Sequence, residues 1–180
     1  MTDHLVEKVL QTEPAYEGHL VKLYVDTVQL PDGGQSKREI VRHPGAVAMV
    51  PLLDDGRVVL VRQYRHAAGK VLVEIPAGTL EPGEDPLRAA ERELQEETGY
   101  KPGSLERLGH EYAAPGYTTE LIHLFLATEL VPSALDQDAD EFIEVVTLPF
   151  EEAVAQVMRG EIEDSKTMLA LLLVARRLGR

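Results

Sequence analysis

Three glutamates, Glu93, Glu96 and Glu97, crowd the stretch Arg92-Glu93-Leu94-Gln95-Glu96-Glu97-Thr98-Gly99-Tyr100. A glycine-bracketed loop, Gly78-Thr79-Leu80-Glu81-Pro82-Gly83-Glu84, comes just before it. On a helix, Glu93 and Glu97 are four residues apart and point the same way. Glu96, three residues from Glu93, joins that face. Carboxylates this close repel one another unless cations sit between them. Oxygen-only ligands suit hard cations such as Mg2+ or Mn2+, which also bind phosphate oxygens. Arg92, four residues before Glu96, can orient a carboxylate from behind. A Glu-rich stretch alone reads as a solvated helix face. The register of this one with Gly78, Gly83 and Arg92 favours a metal site.

The helix that must present these groups has local start and stop signals. Asp85 fits an N-cap and Pro86 the first helical position. Leu87, Ala90 and Leu94 recur at helical spacing and are expected to face the core. Gly99 fits the C-cap. Around the helix the chain reads mostly as strands. His19 to Leu30 alternates apolar and polar residues, Pro31-Asp-Gly-Gly34 is a turn, and Ser36 to His43 returns as a second strand. Strands are expected from Gly45 to Leu52, Arg57 to Arg65, Val71 to Ile75, Leu105 to Ala113, Leu121 to Leu130 and Phe142 to Leu148. Helices are expected from Glu151 to Met158 and from Lys166 to Leu178. The expected organisation is an N-terminal β-hairpin segment over residues 1–43 and a core domain over 44–180, with an α/β mixed sheet carrying the helices.

Composition narrows the partners. Acidic residues number 31 against 18 basic, a net charge of −13. That argues against nucleic acid or an anionic membrane as partner. A phosphate substrate becomes compatible with such a charge when divalent cations invert it locally. With no cysteine, disulfide, thiolate and zinc–thiolate chemistry are excluded. The longest apolar run, Met168 to Ala175, is far short of the roughly 18 residues a membrane span requires. The first residues are polar and charged, without a signal-peptide core. A soluble cytoplasmic protein is expected. The six histidines, His4, His19, His43, His66, His110 and His123, form no metal-spaced pair and read as solvated or packed.

The loop and helix together resemble the Nudix box, G-x5-E-x7-R-E-U-x-E-E-x-G-U, where U is bulky and apolar. Every defined place is matched, with Tyr100 standing where an aliphatic residue is more usual. The resemblance implies the α/β/α sandwich of that family and metal-assisted hydrolysis of a nucleoside diphosphate linked to another group. It implies two or more Mg2+ or similar ions on Glu93 and Glu97, with Glu96 assisting and the backbone carbonyl of Ala77 contributing. Glu84 would support the loop.

Stretches outside the box resemble the ADP-ribose pyrophosphatase subfamily. They are Lys37-Arg-Glu-Ile-Val41, His43-Pro-Gly-Ala-Val47, Val61-Arg-Gln-Tyr-Arg65, Glu74-Ile-Pro-Ala-Gly78, Ala114-Pro115-Gly116 and Asp138-Ala-Asp-Glu-Phe-Ile-Glu-Val145. Ala114 stands where the subfamily commonly has Ser. By position, the resemblance places Arg38 and Glu39 at the adenosine end and Arg65 on a phosphate or ribose. It places Glu74 beside the substrate, Pro115 and Gly116 in the substrate loop, and Glu120 on the terminal ribose. The acidic loop of Asp136, Asp138, Asp140 and Glu141 would supply the base that activates water. Glu141 fits the register best, with Glu144 and Asp138 as rivals. The implied reaction is hydrolysis of ADP-ribose to AMP and ribose 5-phosphate. Alternatives are another substrate of the same kind, a nucleotide sugar or dinucleotide, and a binding module that holds ADP-ribose without turnover. The resemblance also implies a homodimer in which the N-terminal segment packs on the partner and completes its site.

Overall fold

A computed structural model describes residues 3–19, 21–133, 135 and 142–179. Two compact units are present, Met1–Pro44 with Tyr112–Leu121, and Gly45–Glu111 with Ile122–Arg180.

The first unit is an antiparallel sheet of β1 (Lys8–Glu17), β2 (Lys22–Gln29) and β3 (Gln35–Arg42), in that order. The second and third strands are the expected hairpin, closed by a turn in which Leu30 donates to Gly34 at 2.8 Å. The first strand was not expected. Its residues are mostly polar and Pro14 interrupts them, which is tolerated only at a sheet edge or a bulge. It has both: β1 is an edge strand, with irregular register at Val9/Gln11 and at Pro14/Tyr16. Residues 112–121 lie along the end of β3. Val41 N–H donates to the Tyr117 carbonyl at 2.7 Å and Thr119 N–H to the Val41 carbonyl at 3.0 Å.

The second unit contains the expected mixed arrangement, divided between two sheets. One has the order β7-β4-β9-β8, from β4 (Ala46–Pro51), β7 (Ala77–Thr79), β8 (Tyr100–Tyr112) and β9 (Leu121–Pro132). The other has the order β10-β5-β6, from β5 (Arg57–Arg65), β6 (Lys70–Glu74) and β10 (Ile143–Pro149). Among the described residues its helices are α1 (Pro86–Thr98), α2 (Phe150–Arg159) and α3 (Ser165–Arg177). Pairing of β4 with β9 is parallel, Ala46 facing Ile122, whereas β4 with β7 is antiparallel.

Every residue of β4 is buried, because both of its faces are covered. Val47 and Met49 look toward α1, packing with Ala89, Ala90, Leu94 and Phe125. Ala46, Ala48 and Val50 look the other way, into a larger core with Leu60, Ile75, Phe150, Leu171 and Val174. That second face joins the two sheets and seats α2 and α3. Helix α1 has the predicted caps. The Asp85 side chain accepts from Leu87 N–H at 3.0 Å, and Gly99 closes the helix in the left-handed region at φ 73°. The expectation for Leu87 fails: it is 48% exposed. Burial of α1 begins only in its second turn, with Ala89 and Ala90.

Candidate active site

Helix α1 is amphipathic in an unusual sense, because its buried side includes a carboxylate. Glu97 is 3% exposed. Its Oε2 accepts the Ala77 N–H at 3.1 Å, which fastens the helix to β7. Glu93 lies over Gly78 in the same short strand. A Cβ on Gly78 would collide with the Glu93 carboxylate, so the glycine is the cradle in which that group rests. The loop thus supplies a close backbone approach that only glycine permits.

Arg92 organises the rest. Its Nε and Nη2 donate to Glu84 at 3.1 and 3.0 Å, and its Nη1 to Glu93 at 2.8 Å and Glu96 at 2.9 Å. Glu84 also accepts the Glu81 N–H at 3.0 Å, so it braces the loop as expected. The bond to Glu84 raises the Arg92 pKa above its ordinary value against the opposing effect of burial, and Glu93 and Glu96 add to it. The same bond holds the Glu84 carboxyl below its ordinary range. One guanidinium therefore stands among several carboxylates, and the excess of negative charge remains. Among the described residues no three acidic or imidazole groups converge on a single point. The carboxylates are turned onto Arg92 and onto the backbone. Even so, the donor set is all oxygen, partly buried and over-charged, which fits a hard divalent cation. Glu93, Glu96 and Glu97 could hold one.

A second charged cluster lies on the other sheet of the same unit. Arg65, at the end of β5, grips Glu74 of β6 side-on, Nε to Oε1 at 2.7 Å and Nη2 to Oε2 at 2.8 Å. Glu74 is 1% exposed. Burial pushes its carboxyl up, but Arg65 and Lys166 together outweigh that and hold it below its ordinary range. Lys166 bonds the Glu74 Oε2 and, at 2.9 Å, Asp164. The bond to Glu74 raises the Arg65 pKa most; burial opposes it, and Glu97 is among the charges that raise it further. Arg65 therefore lies within the electrostatic reach of the acidic helix.

The structure thus brings together Ala77, Glu93 and Glu97, joins Arg92 to Glu93 and Glu96, and pairs Arg65 with Glu74. Of the remaining candidates, Arg38, Glu39, Pro115, Gly116 and Glu120 belong to the first unit. Arg38 is held by Glu7 at 3.0 and 2.5 Å and by Ser36 at 2.9 Å, while Glu39 is exposed. Pro115 and Gly116 occupy an exposed turn in which Tyr117 donates to the Ala114 carbonyl at 3.1 Å. Glu120 stands 4.0 Å from His43. Glu141, with Asp136, Asp138 and Asp140, lies outside the described residues. The rival Glu144 is paired with Arg62 at 2.9 Å. Sequence reasoning missed Lys166. It is 92 residues from Glu74 and, as the second residue of a helix, bears no periodic or motif signal.

Residues 42–171 match the family described as NUDIX domain. The chain belongs to the Nudix family of hydrolases. Residues 7–41 match a second description, nucleoside diphosphate sugar hydrolase N-terminal domain. An ADP-ribose pyrophosphatase of Bacillus subtilis (strain 168) is 44% identical, over 93% of this chain and 91% of its own. A methanol dehydrogenase activator of Bacillus methanolicus is 47% identical, over 92% and 90%. More distant Nudix relatives include a GDP-mannose pyrophosphatase of Yersinia enterocolitica, 37% identical over 76% of each chain. A crystal structure of an ADP compounds hydrolase superposes with a TM-score of 0.86, over 96% of this chain and 94% of the other, at 24% identity. That likeness bears out the expected Nudix fold. Nudix hydrolases generally use divalent cations, typically Mg2+. Among the described residues no helix is long and apolar enough to cross a membrane.

Proposed function

We propose that this Nudix hydrolase cleaves ADP-ribose to AMP and ribose 5-phosphate. The observation that carries the reading is the acidic face of α1, seated on Gly78 and Ala77 with cationic Arg65 in its field. It is supported by the ADP-ribose pyrophosphatase relatives, which match nearly the whole chain.

In this reading Glu93 and Glu97, with Glu96 assisting and the Ala77 carbonyl contributing, hold two or more divalent cations, Mg2+ in the first instance. When bound, these supply charge neutralisation along the diphosphate and acidify water. The chain's own residues do the rest. Arg92 keeps Glu93 and Glu96 aimed. The side of Arg65 not engaged by Glu74 presents Nη1, which makes no hydrogen bond among the described residues, to a phosphate oxygen. Glu141 accepts the proton of the attacking water, a role worth roughly 10²–10⁴-fold. The water oxygen joins one phosphorus and the P–O–P bridge bond breaks, leaving the bridging oxygen on the other. Arg38 and Glu39 line the adenosine end, Glu74 lies beside the substrate, Pro115 and Gly116 stand in the substrate loop, and Glu120 meets the terminal ribose.

The working form in this reading is a cytoplasmic homodimer in which residues 1–43 reach a partner. Strand β1 is exposed along its whole length, with Val9, Leu10 and Tyr16 in solvent, which favours a covering neighbour. A second substrate reading, a nucleotide sugar, is kept by the GDP-mannose pyrophosphatase relatives. Product analysis over ADP-ribose, GDP-mannose and a dinucleotide with Mg2+ tests both. ADP-ribose should give the highest kcat/KM, with AMP and ribose 5-phosphate as products. A tenfold preference for GDP-mannose would overturn the substrate assignment.

A further inference from the structure

We infer that Lys166, in the first turn of α3, is a positioning residue that acts through Glu74 to hold Arg65 toward the diphosphate. The inference rests on the reading of Arg65 as a phosphate contact.

The cluster has an inside and an outside. Glu74 has a side chain only 2% exposed and Lys166 one only 12% exposed, whereas the Arg65 side chain is 41% exposed. The carboxylate is therefore gripped from the interior by Lys166 and from the solvent side by Arg65. A buried carboxylate with a single, partly solvated counter-ion is poorly compensated, and such groups turn or take up a proton. Either change would remove the acceptors that fix the Nε and Nη2 edge of Arg65. Lys166 prevents this by supplying a second positive charge that solvent hardly screens. The ammonium is itself held, because Asp164 accepts from it and also caps α3 by accepting the Thr167 N–H at 2.9 Å.

The same helix turn anchors the strand that follows Glu74. Thr167 is fully buried, and its Oγ1 accepts the Ile75 N–H at 2.9 Å while donating to Asp164. Two residues on, Ala77 donates to Glu97. The first turn of α3 is thus bonded to both ends of the pair Glu74-Ile75, between Arg65 on one side and the approach to the acidic helix on the other. Arginine has a long side chain whose freedom must be lost on binding, and a pre-ordered fork loses less. That is the quantity Lys166 controls: substrate affinity, through the order of Arg65, rather than the chemical step.

The test is a double-mutant cycle on ADP-ribose hydrolysis with saturating Mg2+, using Lys166→Met, Arg65→Ala and the pair, with thermal melts of each. Lys166→Met should raise KM by about 3- to 10-fold, the cost of one side chain no longer pre-ordered, with kcat within twofold. In the Arg65→Ala background the same substitution should change KM by less than twofold, because its target is gone. Equal KM penalties in both backgrounds, or a fall in kcat at unchanged KM, would overturn the role of Lys166. An Arg65→Ala enzyme with wild-type KM would instead refute the placement of Arg65 on the substrate. Should Lys166→Met fail to melt cooperatively, Lys166→Arg keeps the charge, shifts the donors and carries the same cycle with the same criteria.

Discussion

Gly78→Ala separates site geometry from fold stability more cleanly than any change to a charged residue. The three atoms nearest a new Cβ all belong to the Glu93 carboxylate group, and all lie inside 3.0 Å, which real Cβ contacts essentially never show. The backbone need not yield, because those atoms are the far end of a flexible side chain. Glu93 must therefore swing away by on the order of 1 Å, a misplacement that costs about 10²-fold in rate, or about 2.7 kcal/mol of transition-state stabilisation. Stability should hardly change. Leaving a preferred rotamer costs about 0.5–1.5 kcal/mol, while replacing glycine restricts the unfolded chain and returns about 0.4–1 kcal/mol. The net is within about 1 kcal/mol, a Tm shift of about 2–4 °C at this chain length. The assay is kcat/KM on ADP-ribose across a Mg2+ titration, beside a thermal melt. Wild-type kcat/KM in a stably folded Gly78→Ala protein would show that the position of Glu93 over Gly78 is not what the reaction uses.

Further outcomes are expected. Glu97→Gln should nearly abolish turnover with the melt unchanged, since the amide oxygen can still accept the Ala77 N–H while the charge is gone; near wild-type turnover at saturating Mg2+ would remove Glu97 from the cation site. Glu96→Gln should be milder, its carboxylate being more exposed and already shared with Arg92. Glu141→Gln should lower kcat far more than it raises KM, whereas a nearly neutral Glu141→Gln beside a crippled Glu144→Gln would transfer the base to Glu144. Co-expressed Arg38→Ala and Glu97→Gln chains should recover part of the activity that each lacks alone, because one site of each heterodimer would carry neither lesion; a proven heterodimer without recovery would place both residues in one chain's site or take Arg38 out of it.

What could be read from the chain beforehand was what is local. The caps of α1 at Asp85 and Gly99, the shared face of Glu93 and Glu97, and the reach of Arg92 to Glu96 all follow from spacing within one or two helical turns. Alternation located most strands but not their sheets, so the division between β7-β4-β9-β8 and β10-β5-β6 was invisible. Strand β1 was missed because its polar residues and Pro14 suit an exposed edge and carry no apolar period. Strand β7 spans only Ala77–Thr79, too short for any period to register. Leu87 was misjudged because helical spacing does not show where along α1 the covering sheet begins. Neither the cluster of Lys166 and Thr167 with Glu74 and Ile75 nor the docking of residues 112–121 beside β3 leaves a trace in spacing, since each joins distant parts of the chain.

The parallel pairing of β4 with β9 has a consequence for biogenesis. Along its parallel edge Ala46 meets Ile122 and Pro51 meets Ala127, so that edge of the central strand stays unsatisfied until most of the chain has been made. During synthesis Ala46–Pro51, buried on both faces in the finished fold, is an apolar ribbon with open hydrogen-bonding edges. Closing so long a loop before the pairing rewards it makes folding slow, and the waiting strand is a target for association between nascent chains. The antiparallel partner available earlier is β7, whose three residues cover Ala46, Val47 and Ala48; Pro76 just before it accepts the Met49 N–H at 3.0 Å, and β7 pairs with neither Val50 nor Pro51. A ribosome-bound chain halted before residue 121 should therefore depend on chaperones, and one extended past residue 132 should not.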